Sequence, residues 1–283
     1  PTVAGEFSLV GPKLRETLEW LAVDVSSVPA GKLSKLSLKG RMSSNGGNVQ
    51  VSDATFELDD LRGGGGLTVT FGVPLAVVLN LSLDTIDLDS YLGTAPARPA
   101  AATSGSGSGS ATPPRRVAAG GPSIGFKARV NRIVYRKDTI SGVEIDVALR
   151  GDTLRLNDVK VSNLGGARFA VRGTVANLSA AQPRPDLAFN FEAPDIDRVL
   201  KFADVPATGV GAVSAQGGIA GSLEQLSLRE LAVRAAGQSV QATGALSLPG
   251  AARGMPTSVA YKGNLALNGQ ALDGSIGATL GNR

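Results

Sequence analysis

Large apolar residues take alternate positions over most of the 283-residue chain. Leu75, Val77, Leu79, Leu81 and Leu83 fill every odd position of one run, with Asn80 and Ser82 between them. Val143, Ile145, Val147 and Leu149 alternate with Glu144, Asp146 and Ala148, while Leu187, Phe189 and Phe191 alternate with Ala188 and Asn190. Val49 and Val51 lead into Ala54, Phe56 and Leu58. Successive side chains of a strand point to opposite faces, so each run reads as a strand with one apolar face. Asn45-Gly46-Gly47, Gly151-Asp152 and Gly165-Gly166 separate such runs and carry hairpin-turn chemistry. The pattern predicts an all-β, mostly antiparallel protein with few helices. Helical spacing is seen where Leu14, Leu18 and Leu21 share a face behind Pro12, with Arg15 and Glu19 set to pair at i, i+4, and again briefly from Asp197.

The runs also repeat at longer range. Leu81-Ser-Leu-Asp-Thr-Ile-Asp-Leu-Asp-Ser-Tyr-Leu92 aligns without gaps to Phe189-Asn-Phe-Glu-Ala-Pro-Asp-Ile-Asp-Arg-Val-Leu200. Val49 to Phe56 matches Leu154 to Val161 and again Leu226 to Val233, each leading through a Gly-containing turn to a strand that ends at Gly72, Gly173 or Gly244. A unit with one apolar sheet face cannot bury that face alone, so the copies are expected to add edge to edge into an elongated, curved sheet (β-groove) whose concave face is either covered by the short helices and other copies or left as an apolar groove. Residues 94–123 interrupt the pattern with Ala, Pro, Ser and Gly and read as a flexible linker or a long loop within one sheet. The expected division is a first unit at 1–93 with an N-terminal helix, the linker, a second unit at 124–203 and a third at 204–283.

Composition narrows the chemistry. The chain has no Cys and no His, which excludes disulfides, thiol or imidazole metal sites, Ser-His-Asp triads and Cys nucleophiles. A net charge of +4 and 4% aromatic residues lack the dense basic and stacking signature of a nucleic-acid binder. The longest apolar stretch, Val73 to Leu83, is broken by Pro74, Asn80 and Ser82 and falls short of the roughly 20 residues that span a bilayer. Opening at Pro1 directly into strand-like sequence, the chain reads as a piece of a longer protein.

Carboxylates are the remaining candidates for acid–base or metal work. Asp87 and Asp89 lie two apart, as do Asp195 and Asp197, without the further ligands and Gly of a calcium loop. Asp89 and Asp197 read instead as N-caps, and Asp59-Asp60 as a solvated turn. The four glycines at 63–66 lack the Lys-Ser/Thr of a phosphate loop and read as a hairpin turn. Trp20 is expected to pack against the sheet.

Lys13 to Trp20 followed by Leu33 to Arg41, the "LSLDTIDLDSYL" segment, the Pro/Ala insertion and the run from Val130 to Val175 together resemble the C-terminal periplasmic region of the bacterial AsmA family. The resemblance covers nearly the whole chain and implies a β-groove similar to that of bridge-like lipid-transfer proteins. It implies a periplasmic body, an inner-membrane anchor absent from these residues, envelope protein partners, and a part in lipid transport and outer-membrane assembly. No enzyme activity and no cofactor are expected. In that reading Leu79, Leu81, Leu83, Val143, Ile145, Val147, Leu187, Phe189 and Phe191 hold phospholipid acyl chains, with ordinary core packing as the alternative for any one of them. Two other classes remain: an adhesive autotransporter-like β-repeat, which calls for short parallel rungs, and a polysaccharide-acting enzyme, which calls for two acids facing one cleft.

Overall fold

The structure, a computed structural model, describes residues 2–20, 24–25, 28–92, 121–180, 182–251, 258–272 and 275–279. Leu21 and residues 94–120 of the expected linker lie outside them. The elements are β1 (Thr2–Gly11), α1 (Leu14–Trp20), β2 (Leu36–Asn45), β3 (Asn48–Leu58), β4 (Leu61–Thr70), β5 (Ala76–Asp87), α2 (Leu88–Leu92), β6 (Ser123–Tyr135), β7 (Asp138–Arg150), β8 (Thr153–Leu164), β9 (Ala167–Ala176) and β10 (Arg184–Ala193). There follow α3 (Ile196–Phe202), β11 (Val213–Gly221), β12 (Gln225–Ala235), β13 (Gln238–Ser247), β14 (Ser258–Leu267), β15 (Gln270–Leu272) and β16 (Ser275–Thr279).

All sixteen strands form one open, curved sheet in chain order, with β15 and β16 both lining the far edge of β14. Fourteen intervals of about 4.8 Å make it roughly 67 Å long. Every pair is antiparallel except β5 with β6, so the strands flanking the 94–123 stretch lie side by side in the same sheet. The strands β1, β5 and β10 run the same way, which puts α1, α2 and α3 on one long edge of the sheet; tight turns such as Gly151-Asp152 form the other. The predicted hairpin turns at 45–47, 151–152 and 165–166 all fall between strands. Gly63 to Gly66 do not: they lie inside β4, and the turn is Asp59-Asp60, because two residues suffice to reverse the chain after Leu58.

The period-two pattern slips phase at the same point of each repeat, and the slip is a β-bulge. In β3 the apolar positions pass from Val49 and Val51 to Ala54, Phe56 and Leu58, and pairing with β4 shifts between Val51 and Ala54. The matching shifts lie between Leu156 and Val159 in β8 and between Leu228 and Leu231 in β12. The extra residues are Ser52-Asp53, Asn157-Asp158 and Arg229-Glu230, at the aligned positions of the three repeats. Without the additional residue the second half of each strand would turn its apolar side chains to water. Asp53 and Glu230 take left-handed φ values of 50° and 47° to make the kink.

Glycines on the neighbouring strands complete each bend. Gly173, at φ 141°, pairs with Leu187, and a Cβ there would lie 2.8 Å from the Leu187 Cα. Gly217, at φ 156° beside the β12 bulge, would meet the Leu231 Cα at the same distance. At these points the backbones approach too closely for a side chain, as they do where a sheet turns sharply. Replacing Gly173 by Ala is expected to cost about 2 kcal/mol or more in urea unfolding. Gly47→Ala, where the nearest atom to the new Cβ is the Asn45 carbonyl oxygen at 4.0 Å, is expected to stay within about 0.5 kcal/mol of wild type.

Candidate functional site

Register carries the apolar residues into rows that run along the sheet, across the strands. The middle row joins Ala54, Gly65, Leu81, Ala128, Ile145, Val159, Val171 and Phe189. On one side of it a row runs through Leu83, Val130, Val143, Val161, Phe169 and Phe191, and continues at both ends to Leu9 and Leu267. On the other side run Val51, Leu67, Leu79, Phe126, Val147, Leu156, Gly173, Leu187, Ile219 and Leu228. The nine residues singled out in the sequence therefore share one face and three adjacent rows: Leu81, Ile145 and Phe189 at the centre, Leu83, Val143 and Phe191 on one flank, and Leu79, Val147 and Leu187 on the other. None of the three rows contains a polar side chain.

Among the described residues no second layer covers this face: the buried apolar residues are only Val25, Val130, Ala167, Ala193, Leu228 and Ala242, and the nine site residues are half-buried. Half-burial without a cover comes from curvature. A Cβ added on the apolar face at Gly40 would lie 3.1 Å from the Phe7 ring, and one at Gly63 would lie 2.5 Å from a Leu83 methyl, so the side chains of that face converge as they do on the inside of a bend. The middle row follows the line of bulges and glycines and is the floor; the flanking rows rise as walls. The trough is open at its ends, where Leu9 is 54% and Leu267 41% exposed.

The opposite face is polar, and several of its charges are paired. Arg129 meets Glu144 at 3.2 Å and Lys127 meets Asp146 at 3.1 Å across neighbouring strands, and Arg229 pairs with Asp186. Open depressions lie on this side against the bulges, one of about 540 Å³ bordered by Glu6, Lys39, Arg41 and Asp53, another of about 400 Å³ bordered by Lys127, Arg129, Glu144 and Asp158. Their charged linings already face counter-ions, since Arg41 contacts both Glu6 and Asp53.

The carboxylates are fastenings at strand ends. Asp195 is the N-cap of α3 and accepts from the Asp197 N–H at 3.1 Å; Asp87 accepts from the Ser90 N–H at 3.2 Å ahead of α2. The expected caps Asp89 and Asp197 lie two positions beyond the caps, inside the helices, and reach outward. Asp89 takes the Arg136 and Lys137 N–H groups at 2.6 and 2.8 Å, tying α2 to the β6–β7 turn; Asp197 takes the Thr208 and Gly209 N–H groups at 2.7 and 2.9 Å. These backbone donors hold both carboxyls below their ordinary range. Asp59 is likewise more than a solvated turn: it accepts from Leu33 N–H, Ser34 N–H and Oγ, and Lys35 N–H at 2.6–3.1 Å. Trp20 does not pack on the sheet but is 82% exposed, and Arg15, rather than pairing with Glu19, donates to the carbonyls of Val25, Val28 and Pro29. A guanidinium fork matches three converging carbonyls better than one flexible carboxylate.

Among the described residues no group of three acidic side chains could hold a metal ion, and no helix is long and apolar enough to cross a membrane. No protein-family model, curated protein or solved structure matches this chain.

The bulges and glycines were the part of the site that sequence reasoning missed. Their signal is the change of parity in the apolar positions, odd at Val49 and Val51 and even from Ala54 onward, repeated at Leu156–Val159 and Leu228–Leu231.

Burial pushes the Asp59 carboxyl up, but its donors outweigh that and hold it at about 2. A carboxyl depressed in the folded state adds stability above its unfolded pKa of about 3.9, which is lost as pH falls from there toward 2. Asp59→Asn is therefore expected to melt below wild type at neutral pH, with the gap constant down to about pH 5 and closing toward pH 2 in thermal scans.

Proposed function

We propose that the chain is a non-enzymatic groove for phospholipid acyl chains and belongs to an envelope lipid-transport system of the AsmA type, working in the periplasm beside the inner membrane. The observation that carries this reading is the run of three adjacent rows, with no polar side chain among them, along the inside of an uncovered sheet. Moving each CH₂ of a lipid tail from water onto such a surface is favourable by about 0.8 kcal/mol. The contact has no direction, so a tail loses little by sliding from one strand to the next. A headgroup stays in water at the open side of the trough. Lipid-tail binding also accounts for the charge pattern: ion pairs occupy the outer face, and the inner one offers nothing that would hold a polar guest in place. The adhesive β-repeat reading fits less well, because it calls for parallel rungs and only β5 with β6 is parallel.

Purified chain extracted under mild conditions is expected to carry phospholipid in native mass spectrometry and to move fluorescent phospholipid between vesicles. Leu81→Asp and Phe189→Asp, both on the floor of the trough, are expected to lower bound lipid and transfer at least about tenfold, while circular dichroism stays that of a β-sheet. A wild-type chain that carries no lipid and a transfer rate untouched by either substitution would overturn the proposal.

A further inference from the structure

The connections on the long edge opposite the helices are not alike. Gly46-Gly47 and Gly151-Asp152 are short and lack large side chains, and Leu223 is a lone apolar residue beside Glu224. The connection from β4 to β5 differs from these. Phe71-Gly72-Val73-Pro74-Leu75 holds no polar side chain, and Phe71 is 60%, Val73 100% and Leu75 39% exposed. Both feet of this tip are held in place: the Phe71 N–H donates to the Gly47 carbonyl at 2.8 Å, and the Ser123 N–H donates to the Leu75 carbonyl at 2.8 Å. Three large apolar side chains fixed in water at one hairpin tip mark a surface that another apolar medium covers.

The surroundings say which medium. No residue from 42 to 52 or from 63 to 83 is charged, in a chain with 18% charged residues, so the β2–β3 turn beside the tip and both strands leading into it carry no charge. Ser44, Asn45, Asn48, Thr68 and Thr70 border a shallow depression there, all of them uncharged hydroxyls and amides. In the other direction along the edge the first charge among the described residues is Arg150, exposed opposite Ser123 and suited to a lipid phosphate. A protein partner is registered by charges at the rim of its site. A bilayer interface admits hydroxyls and amides, and a fixed charge carried further in would be costly. The tip also continues the trough. Leu75, Val77, Leu79 and Leu81 take successive odd positions, and Val77 lies in a row with Val49, Val69 and Ile124, so the apolar surface runs from tip to floor without a break. We propose that Phe71, Val73 and Leu75 insert at the headgroup–acyl boundary of a phospholipid bilayer, a shallow contact made by apolar burial rather than by charge. Where the groove reading holds, this contact also gives a lipid tail an apolar path from the bilayer over Leu75 and Val77 to the floor.

The 283-residue chain is expected to float with phosphatidylcholine vesicles, equally at low and high salt and without anionic lipid. Val73 is wholly exposed, so Val73→Asp leaves the fold alone; together with Phe71→Ser it is expected to lower partitioning at least about tenfold. Leu223→Asp, on the same edge, is expected to leave partitioning unchanged. Phe71→Trp combined with Trp20→Phe leaves one indole, whose emission is expected to shift to the blue on vesicles and to be quenched by brominated acyl chains. Leu81→Asp separates this contact from the groove, because it is expected to keep wild-type flotation while losing transfer. A chain that floats through its tip yet moves no phospholipid would support the contact and remove the groove. A wild-type chain that does not float, flotation that needs anionic lipid or fails in high salt, tip variants that float like wild type, loss of flotation in Leu81→Asp or Trp20→Phe alone, or a lipid-free dimer that Val73→Asp dissociates would overturn the inference.

Discussion

The constraint on which the structure rests is that an apolar side chain must stay on the same face of a strand through a bend. Side chains alternate with a strict period of two, so a strand that bends by inserting one residue turns its remaining side chains over unless the sequence slips with it. This chain slips at the same place in three repeats, at Asp53, Asp158 and Glu230. An acidic residue suits the position. It points to the wet outer face, and at Asp53 and Glu230 the backbone is left-handed, which Asp tolerates better than a β-branched residue would. The neighbouring glycines let the adjacent strands follow. Curvature, apolar lining and repeat length are thus one feature seen at three scales.

A single curved layer also changes how stability is assembled. With few fully buried side chains, no strand leans on a core beneath it; each is held by its two neighbours through ladder hydrogen bonds and half-buried apolar contacts. The carboxylate fastenings matter more in such a fold than in a sandwich, since they hold the long edge where chain reversals are loose. Asp59, Asp89 and Asp197 each gather backbone donors from a loop distant in sequence. The acids that looked most like catalytic pairs are engaged in this way, and the outer-face ion pairs, being exposed, add only about 0–1 kcal/mol each.

The all-β class, the tight turns, the repeat and the shared face of Leu79 through Phe191 were legible because they depend on period-two alternation and on turn residues, both local. Two kinds of feature were not. The caps were placed at Asp89 and Asp197 because Asp before a helical run signals a cap, and a spacing of two leaves the choice between neighbouring acids to the tertiary loop that supplies donors. The glycines at 63–66 looked like a turn because Gly is a turn residue in isolation. Their role in β4 comes from Phe56 and Leu83, whose side chains fill the space over Gly63, and that crowding is set by register rather than by local sequence.

The one parallel pair follows from the same logic. Between the matching strands β3 and β8 there are five steps across the sheet, and between β8 and β12 there are four. Four antiparallel steps restore the original direction; five would reverse it. Because the step from β5 to β6 is parallel, the first interval also contains four reversals, and β3, β8 and β12 all run the same way. A reversed β8 would have carried the end of β10, and with it α3, to the opposite edge from α2. The parallel step keeps Leu81 beside Ala128 and Leu83 beside Val130, so the rows cross the junction without interruption. An added strand would otherwise have broken the periodicity of the groove; here it lengthens the trough while leaving its floor, walls and helical edge in register.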